Sequence, residues 1–325
     1  MNVILSLAWL FILLAVGGWA IGYLASELVS RFVFRGELSP VARRSYSFTL
    51  ATLPLLAMAA LVVAVVVTAL GKSLGWMTDH CVYHGPGHPH LCFRHLPAID
   101  LGVVEFVAAA LLLAGITYVI IGFGSRQYRA GKHICSLLRL VEGRIPDRRV
   151  HTVESLSPFA VTAGAFSPRV ILSRGLLDRL EARERRIVLA HEVSHVRTRD
   201  LLYNGVFEIL LLLHLPVTAS RLRKEWRQAL EEIADDRVAG HFGREEVAAT
   251  LLKVFRLQRG EVMPGLSVAG ADAVKRIERL LCPADNRRNG RVFVSVSLAA
   301  IFALSLSSAG AHHELETLLG LLTGH

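Results

Sequence analysis

Long apolar runs separated by short basic stretches dominate the chain. Four of them, residues 3–24, 50–70, 101–123 and 292–310, are long enough to cross a bilayer, which takes about 20 helical residues. The first has no Lys or Arg before it, so it lacks the basic start of a signal peptide and reads as a retained span. Between the third and fourth runs the pattern changes. Residues 151–173 read as short strands, with 159–162 and 169–173 flanking a turn at Gly164, Ser167 and Pro168. A helical pattern begins at 176–180. Residues 183–199 predict an amphipathic helix whose apolar positions include Ile187, Val188, Val193 and Val196. A further helix is predicted over 226–240, ended by Gly240. Between these two helices, 203–219 turns apolar again and is almost long enough to span.

Composition agrees with a membrane protein: 53% of the 325 residues are hydrophobic and the mean hydropathy is +0.45. The net charge of +9 would suggest nucleic acid in a soluble chain. Here the basic residues sort by loop. Arg31, Arg35, Arg43 and Arg44 follow the first run, and Arg126, Arg129 and Lys132 follow the third. Arg287, Arg288 and Arg291 precede the fourth, whereas the loop after the second run carries little beyond Lys72 and Arg94. The positive-inside rule then puts both termini outside and residues 125–290 in the cytoplasm, in a bacterial cytoplasmic membrane. Direct nucleic-acid binding is not expected. The expected organisation has three parts. Residues 1–124 form three transmembrane helices with an outer loop at 76–100. Residues 125–290 form a cytoplasmic domain, with 203–219 associated with the membrane. Residues 291–325 form a last span and a short outer tail.

The chemistry sits at His191-Glu192-Val193-Ser194-His195. Residues four apart share a helical face, so His191 and His195 can reach one metal ion. Glu192 lies beside them, where it can act as general base toward water that zinc acidifies. Such a site needs a third protein ligand. Two overlapping E-x-x-x-D patterns, Glu231 with Asp235 and Glu232 with Asp236, offer one. Asp235 and Asp200 are placed to hydrogen-bond the free nitrogens of metal-holding imidazoles. His195 and Glu231 must meet at one ion, so 203–219 cannot cross the bilayer once between them. It dips and returns, lies at the interface or is buried in protein. Pro216 permits a bend, His214 makes a polar contact there, and Arg221, Arg223, Lys224 and Arg227 hold the exit at the headgroups. Tyr203 and His241 are candidates, by residue type alone, to stabilise an oxyanion.

The loop at 76–100 holds His80, Cys81, His84, His88, His90, Cys92 and His95, five of the 14 His and two of the 4 Cys. Two readings stand. Cys81 and Cys92 form a disulfide in an oxidising compartment, or the loop binds and senses a metal.

The stretches Ser-Pro-Arg-Val-Ile-Leu-Ser-Arg-Gly-Leu-Leu at 167–177 and His-Glu-Val-Ser-His-Val-Arg-Thr-Arg-Asp at 191–200, with the helix of Glu231 and the order of spans, resemble the BlaR/MecR antirepressor family of membrane zinc metallopeptidases. The resemblance favours the Glu231 register. It implies Zn2+ held by His191, His195 and Glu231, Glu192 as general base, and a mainly α multi-pass fold with an α+β gluzincin-type domain. It also implies a protein or peptide substrate, such as a BlaI/MecI-type repressor cut in response to an outside cue. A homodimer is compatible with it. Similar motifs occur in the HtpX family, whose members would act in membrane quality control; a non-proteolytic metal receptor is a third reading. The family's β-lactam sensors carry a penicillin-binding domain after the last span. Only 311–325 follow here, without a Ser-x-x-Lys motif, so β-lactam sensing is not expected.

Overall fold

The computed structural model describes residues 2–76, 102–141, 150–259 and 266–282. The run at 292–310 and the loop holding Cys81, Cys92, His80, His84, His88, His90 and His95 lie outside them. The described chain is mainly helical with one small sheet. Three of its helices are long and apolar enough to cross a membrane, and all outrun the apolar stretches that predict them: α1 (Asn2–Val33), α2 (Pro40–Ser73) and α3 (Val103–Val141).

Helices α1 and α2 approach closely because Gly18 and Gly22 face α2. A Cβ on Gly18 would lie 2.7 Å from the Met58 Cα, and one on Gly22 would lie 2.6 Å from the Pro54 Cα. Small residues at a helix crossing allow that approach, and packing then stabilises it without help from water. The span window of α3, by contrast, is buried nowhere by the rest of the described chain.

The sheet consists of β1 (Val150–Val153), β2 (Ala160–Ala163) and β3 (Arg169–Ser173) in the order β1-β3-β2. β1 runs parallel to β3 and β2 antiparallel to it. Val153, Ala163 and Ile171 bury one face, with Phe159 against them. The short helix α4 (Arg174–Leu177) leads to α5 (Ala182–Arg197), the helix predicted at 183–199.

The apolar segment at 203–219 is a helical hairpin. α6 (Asp200–Leu210) runs into a 3-10 turn (Leu211–Leu213), and the chain reverses at His214 and Leu215 before α7 (Pro216–Phe242). Pro216 suits the first turn of α7, where no amide donor is needed. α7 therefore begins ten residues before the predicted 226. Phe207, Leu211, Leu222 and Trp226 of the two arms pack with Leu50 and Ala51 of α2. Two polar contacts hold the bend: the Trp19 indole donates to the Leu213 carbonyl at 2.7 Å, and His214 Nε2 lies 3.2 Å from the Ala51 carbonyl oxygen. Arg223 clips the arms together with a bidentate pair to Glu208, 2.8 Å on each side. α8 (Arg244–Arg259) and α9 (Leu266–Leu281) close a second core of Ile187, Val238, Val247, Ala248 and Leu280.

Candidate metal centre and its cleft

His191 and His195 stand one turn apart on α5, with their Nε2 atoms 3.3 Å from each other. Glu231 approaches from α7, its carboxylate oxygens 3.4 Å from His191 Nε2 and 3.7 Å from His195 Nε2. The hairpin between α5 and α7 brings these residues together across 36 positions of chain. The two E-x-x-x-D registers separate cleanly. Glu231 is 40% exposed and opens toward the imidazoles, whereas Glu232 is 2% exposed and accepts from Arg43 and Gln228. Asp235 reaches His191 Nδ1 at 3.2 Å, while Asp236 accepts from Arg279.

Asp200 takes the matching place at the other imidazole, 2.8 Å from His195 Nδ1. It gets there through a tight reversal at Arg199, which has φ 52° and is the one non-glycine residue with positive φ among the described residues. The left-handed conformation costs a side-chain-bearing residue about 1–2 kcal/mol. It turns the start of α6 back over the end of α5, so that Asp200 faces a residue only five positions earlier.

The donor set fits a tetrahedral zinc ion. Ligands about 2.0–2.1 Å from such an ion stand about 3.3–3.5 Å apart; the two Nε2 atoms have that spacing, and Glu231 turns a different oxygen to each of them, at 3.4 and 3.7 Å. Both Nδ1 atoms face carboxylates, which fixes each imidazole with its Nε2 lone pair toward the shared point. The three ligand atoms lie within 4.8 Å of one another.

Two further residues complete the site, and sequence reasoning missed both. Arg276 of α9 grips Asp235 with two bonds of 2.8 Å and lies 2.7 Å from Glu231. Thr162 of β2 donates to Glu192 Oε2 at 2.7 Å. No spacing rule ties an arginine 41 residues past Asp235, or a threonine 30 residues before Glu192, to the motif; tertiary packing alone makes these pairs.

The charges are strongly coupled. Burial pulls the His191 imidazole down, but hydrogen bonds to Asp235 and Glu231, and their charges, outweigh it and push it up to about 10. Burial pushes Asp235 up, and Arg276 and His191 more than offset this, holding its carboxyl at about 2. Glu231 is likewise raised by burial but held well below the usual carboxylate range by Arg276, His191 and His195. The group opens into a cleft of about 160 Å³ walled by Ala160, Val188, Leu251 and Val254, with Glu192 on its surface. Neither Tyr203 nor His241 lines it: Tyr203 lies under Arg44, and His241 bonds the Arg237 carbonyl.

Comparison with known proteins gives this geometry a lineage. A family model described as BlaR1 peptidase M56 matches residues 106–279. The chain is also similar to the protease HtpX homologue of Dictyoglomus thermophilum, 24% identical over 165 residues, which are 46% of this chain and 54% of that protein. It is 45% identical to the HtpX homologue of Listeria monocytogenes over 60 residues, 18% of this chain and 19% of that protein. The chain thus spans about half the length, or less, of the curated relatives it matches. No solved structure matches. The relatives and the apolar helices describe an integral membrane protein, and both sets of matches are to peptidases. The family match runs from α3 into α9 and takes in every member of the His191, His195 and Glu231 group, and the chain belongs to the BlaR1 peptidase M56 family.

Proposed function

We propose that this chain is a membrane-embedded zinc metalloendopeptidase in which His191, His195 and Glu231 hold the metal and Glu192 is the general base. The observation that carries this reading is the convergence of two imidazole nitrogens and a carboxylate within 4.8 Å of one another, each imidazole backed by its own aspartate. Bound there, zinc supplies Lewis acidity and lowers the pKa of a water toward about 7. Glu192 would take a proton from the attacking water and return it to the leaving amine. Thr162 holds one of its carboxylate oxygens and so orients the base. β2 lies at the edge of the sheet and Ala160 lines the cleft. A substrate strand adding to that edge would lie along the cleft that His191, Glu192 and Glu231 line, with main-chain hydrogen bonds providing the register.

Glu192→Gln separates binding from chemistry. The variant is expected to retain about one zinc per chain and lose peptide cleavage. Undiminished turnover would sink the mechanism.

One reading, drawn from the sequence resemblance and the basic loops, is a signalling peptidase: a substrate such as a BlaI/MecI-type repressor is cut on the cytoplasmic side, with both termini outside, after an external cue. The HtpX relatives support a second reading, clearance of misfolded membrane proteins. Comparing new protein N-termini in cells carrying the active chain or Glu192→Gln decides between them. One cleaved regulator favours the first; many membrane-protein fragments, increasing with heat, favour the second.

A further inference from the structure

Helix α2 begins against its own dipole. Ser39 caps it, accepting a bond from the Ala42 amide, and Pro40 occupies the first turn, which contains no acidic residue. Arg43 and Arg44 follow at once, at the end of the helix that carries partial positive charge. Cations are unfavourable in the first turn, which Arg43 closes, whereas Arg44 opens the second. The compensation comes from other elements. Arg43 Nη1 lies 2.9 Å from the buried Glu232, the neighbour of Glu231 on α7, and its Nε lies 3.2 Å from Glu225. The Arg44 guanidinium lies over two rings, 5.4 Å from the centroid of Tyr203 and 5.5 Å from that of Trp226. From there its Nη2 faces Asp200 Oδ1 at 4.0 Å. That oxygen is buried and has no hydrogen-bond partner, while the other oxygen of the same carboxylate is bonded to His195.

We infer that Arg44 is a positioning residue for the metal centre: it fixes Asp200 and, through Asp200, the ring of His195, so that the first turn of membrane helix α2 sets the geometry of the metal-holding group. Arg43 supports the same coupling by holding α7 beside Glu231. The inference rests on His195 being a metal ligand. Asp200 Oδ1 is buried without a hydrogen-bond partner, and Arg44 supplies positive charge on the side that the imidazole does not cover. Without it, the carboxylate is free to turn and His195 loses a fixed acceptor. A shift of α2 relative to α6 and α7 is therefore felt at the metal.

The test uses the full chain in detergent. Zinc affinity is measured by chelator competition, and the visible absorption of the Co(II)-loaded protein reports ligand geometry. Arg44→Met keeps the packing beneath the rings and removes the charge. It is expected to weaken zinc binding about fivefold, less than the roughly tenfold or greater loss expected for Asp200→Asn, and to alter the cobalt bands. In the Asp200→Asn background, Arg44→Met should add nothing, because the path runs through that carboxylate. If Arg44→Met only lowers the melting temperature, leaving zinc affinity and spectrum unchanged, or if its penalty multiplies with that of Asp200→Asn, the positioning role is overturned. Arg44→Gln carries the same test should the Met variant not fold. A His191→Ala variant that binds zinc as tightly as the wild type would instead overturn the underlying metal assignment.

Discussion

At the scale of single residues, the arrangement of His191 and His195 demands a cation. With both Nδ1 atoms turned to carboxylates, the two Nε2 atoms face each other at 3.3 Å, and two lone pairs repel unless a proton or a metal lies between them. In the metal-free chain the proton is the one on His191, whose pKa of about 10 keeps it charged at neutral pH. Zinc bound at the proposed site would have to displace that proton. Its apparent affinity is expected to rise about tenfold per pH unit between about pH 6 and 8.5. An imidazole with the ordinary pKa of about 6.5 would let the curve flatten near pH 7.5, and chelator competition at several pH values separates the two. The sign for stability is the reverse. A raised folded-state pKa stabilises the metal-free fold most fully below about pH 6.5, and the contribution fades as pH climbs toward about 10. Thr162→Val should slow turnover by about tenfold with zinc content unchanged, because it frees a carboxylate oxygen of the proposed base, whose general contribution is about 10²–10⁴-fold; an unaltered kcat would remove Thr162 from the reaction. The histidine pair was legible in the sequence because helical periodicity alone sets it. Arg276 and Thr162 were not, because their partners are created by packing between α9 and α7 and between β2 and α5.

Among the elements, a tight demand falls on the crossing of α1 and α2. Gly22→Val drives a side chain into the Pro54 backbone, 2.6 Å from where its Cβ would lie. Overpacking of this kind costs about 1–3 kcal/mol, so a melting temperature several degrees lower is expected in detergent. Gly17→Val is the matched control, since nothing lies within 4 Å of its Cβ, and it should melt like the wild type. Equal effects of the two would show that apolar bulk, not the crossing, matters. The sequence located α1, α2 and α3 but placed their ends short. Hydropathy marks the residues that lipid or core covers, whereas a helix continues through polar residues as long as its backbone bonds and side-chain charges are met. α7 shows this most plainly. Its first turns carry Arg221 and Arg223, which pair with Glu27 and Glu208, so the stretch read as a basic exit at the headgroups belongs to the helix that brings Glu231 to the histidines.

For the whole molecule, the bent segment decides how the candidate metal group relates to the bilayer. The requirement that His195 and Glu231 meet excluded a single crossing at 203–219, but it left a dip, an interfacial helix and a buried helix open. The hairpin of α6 and α7 resolves the local path: both arms run to a shared bend, and Trp19 of α1 and Ala51 of α2 hold that bend beside the two packed apolar helices. At the tip, Leu215 is 50% and Val217 66% exposed, a composition that suits lipid and not water. The hairpin is therefore expected to enter the bilayer and leave by the same face. Single cysteines test this in a background with the four native cysteines replaced. Positions Arg183 and Arg244, which flank the hairpin on exposed helix starts, should react with an impermeant maleimide from the same side of inverted vesicles. A cysteine at Leu215 should resist that reagent from either side. Labelling of Arg183 and Arg244 from opposite sides would require a true crossing between His195 and Glu231, and a single ion could not then be held by both. Ready labelling at Leu215 would instead place the bend in water and leave α1 and α2 to anchor the metal group without the hairpin.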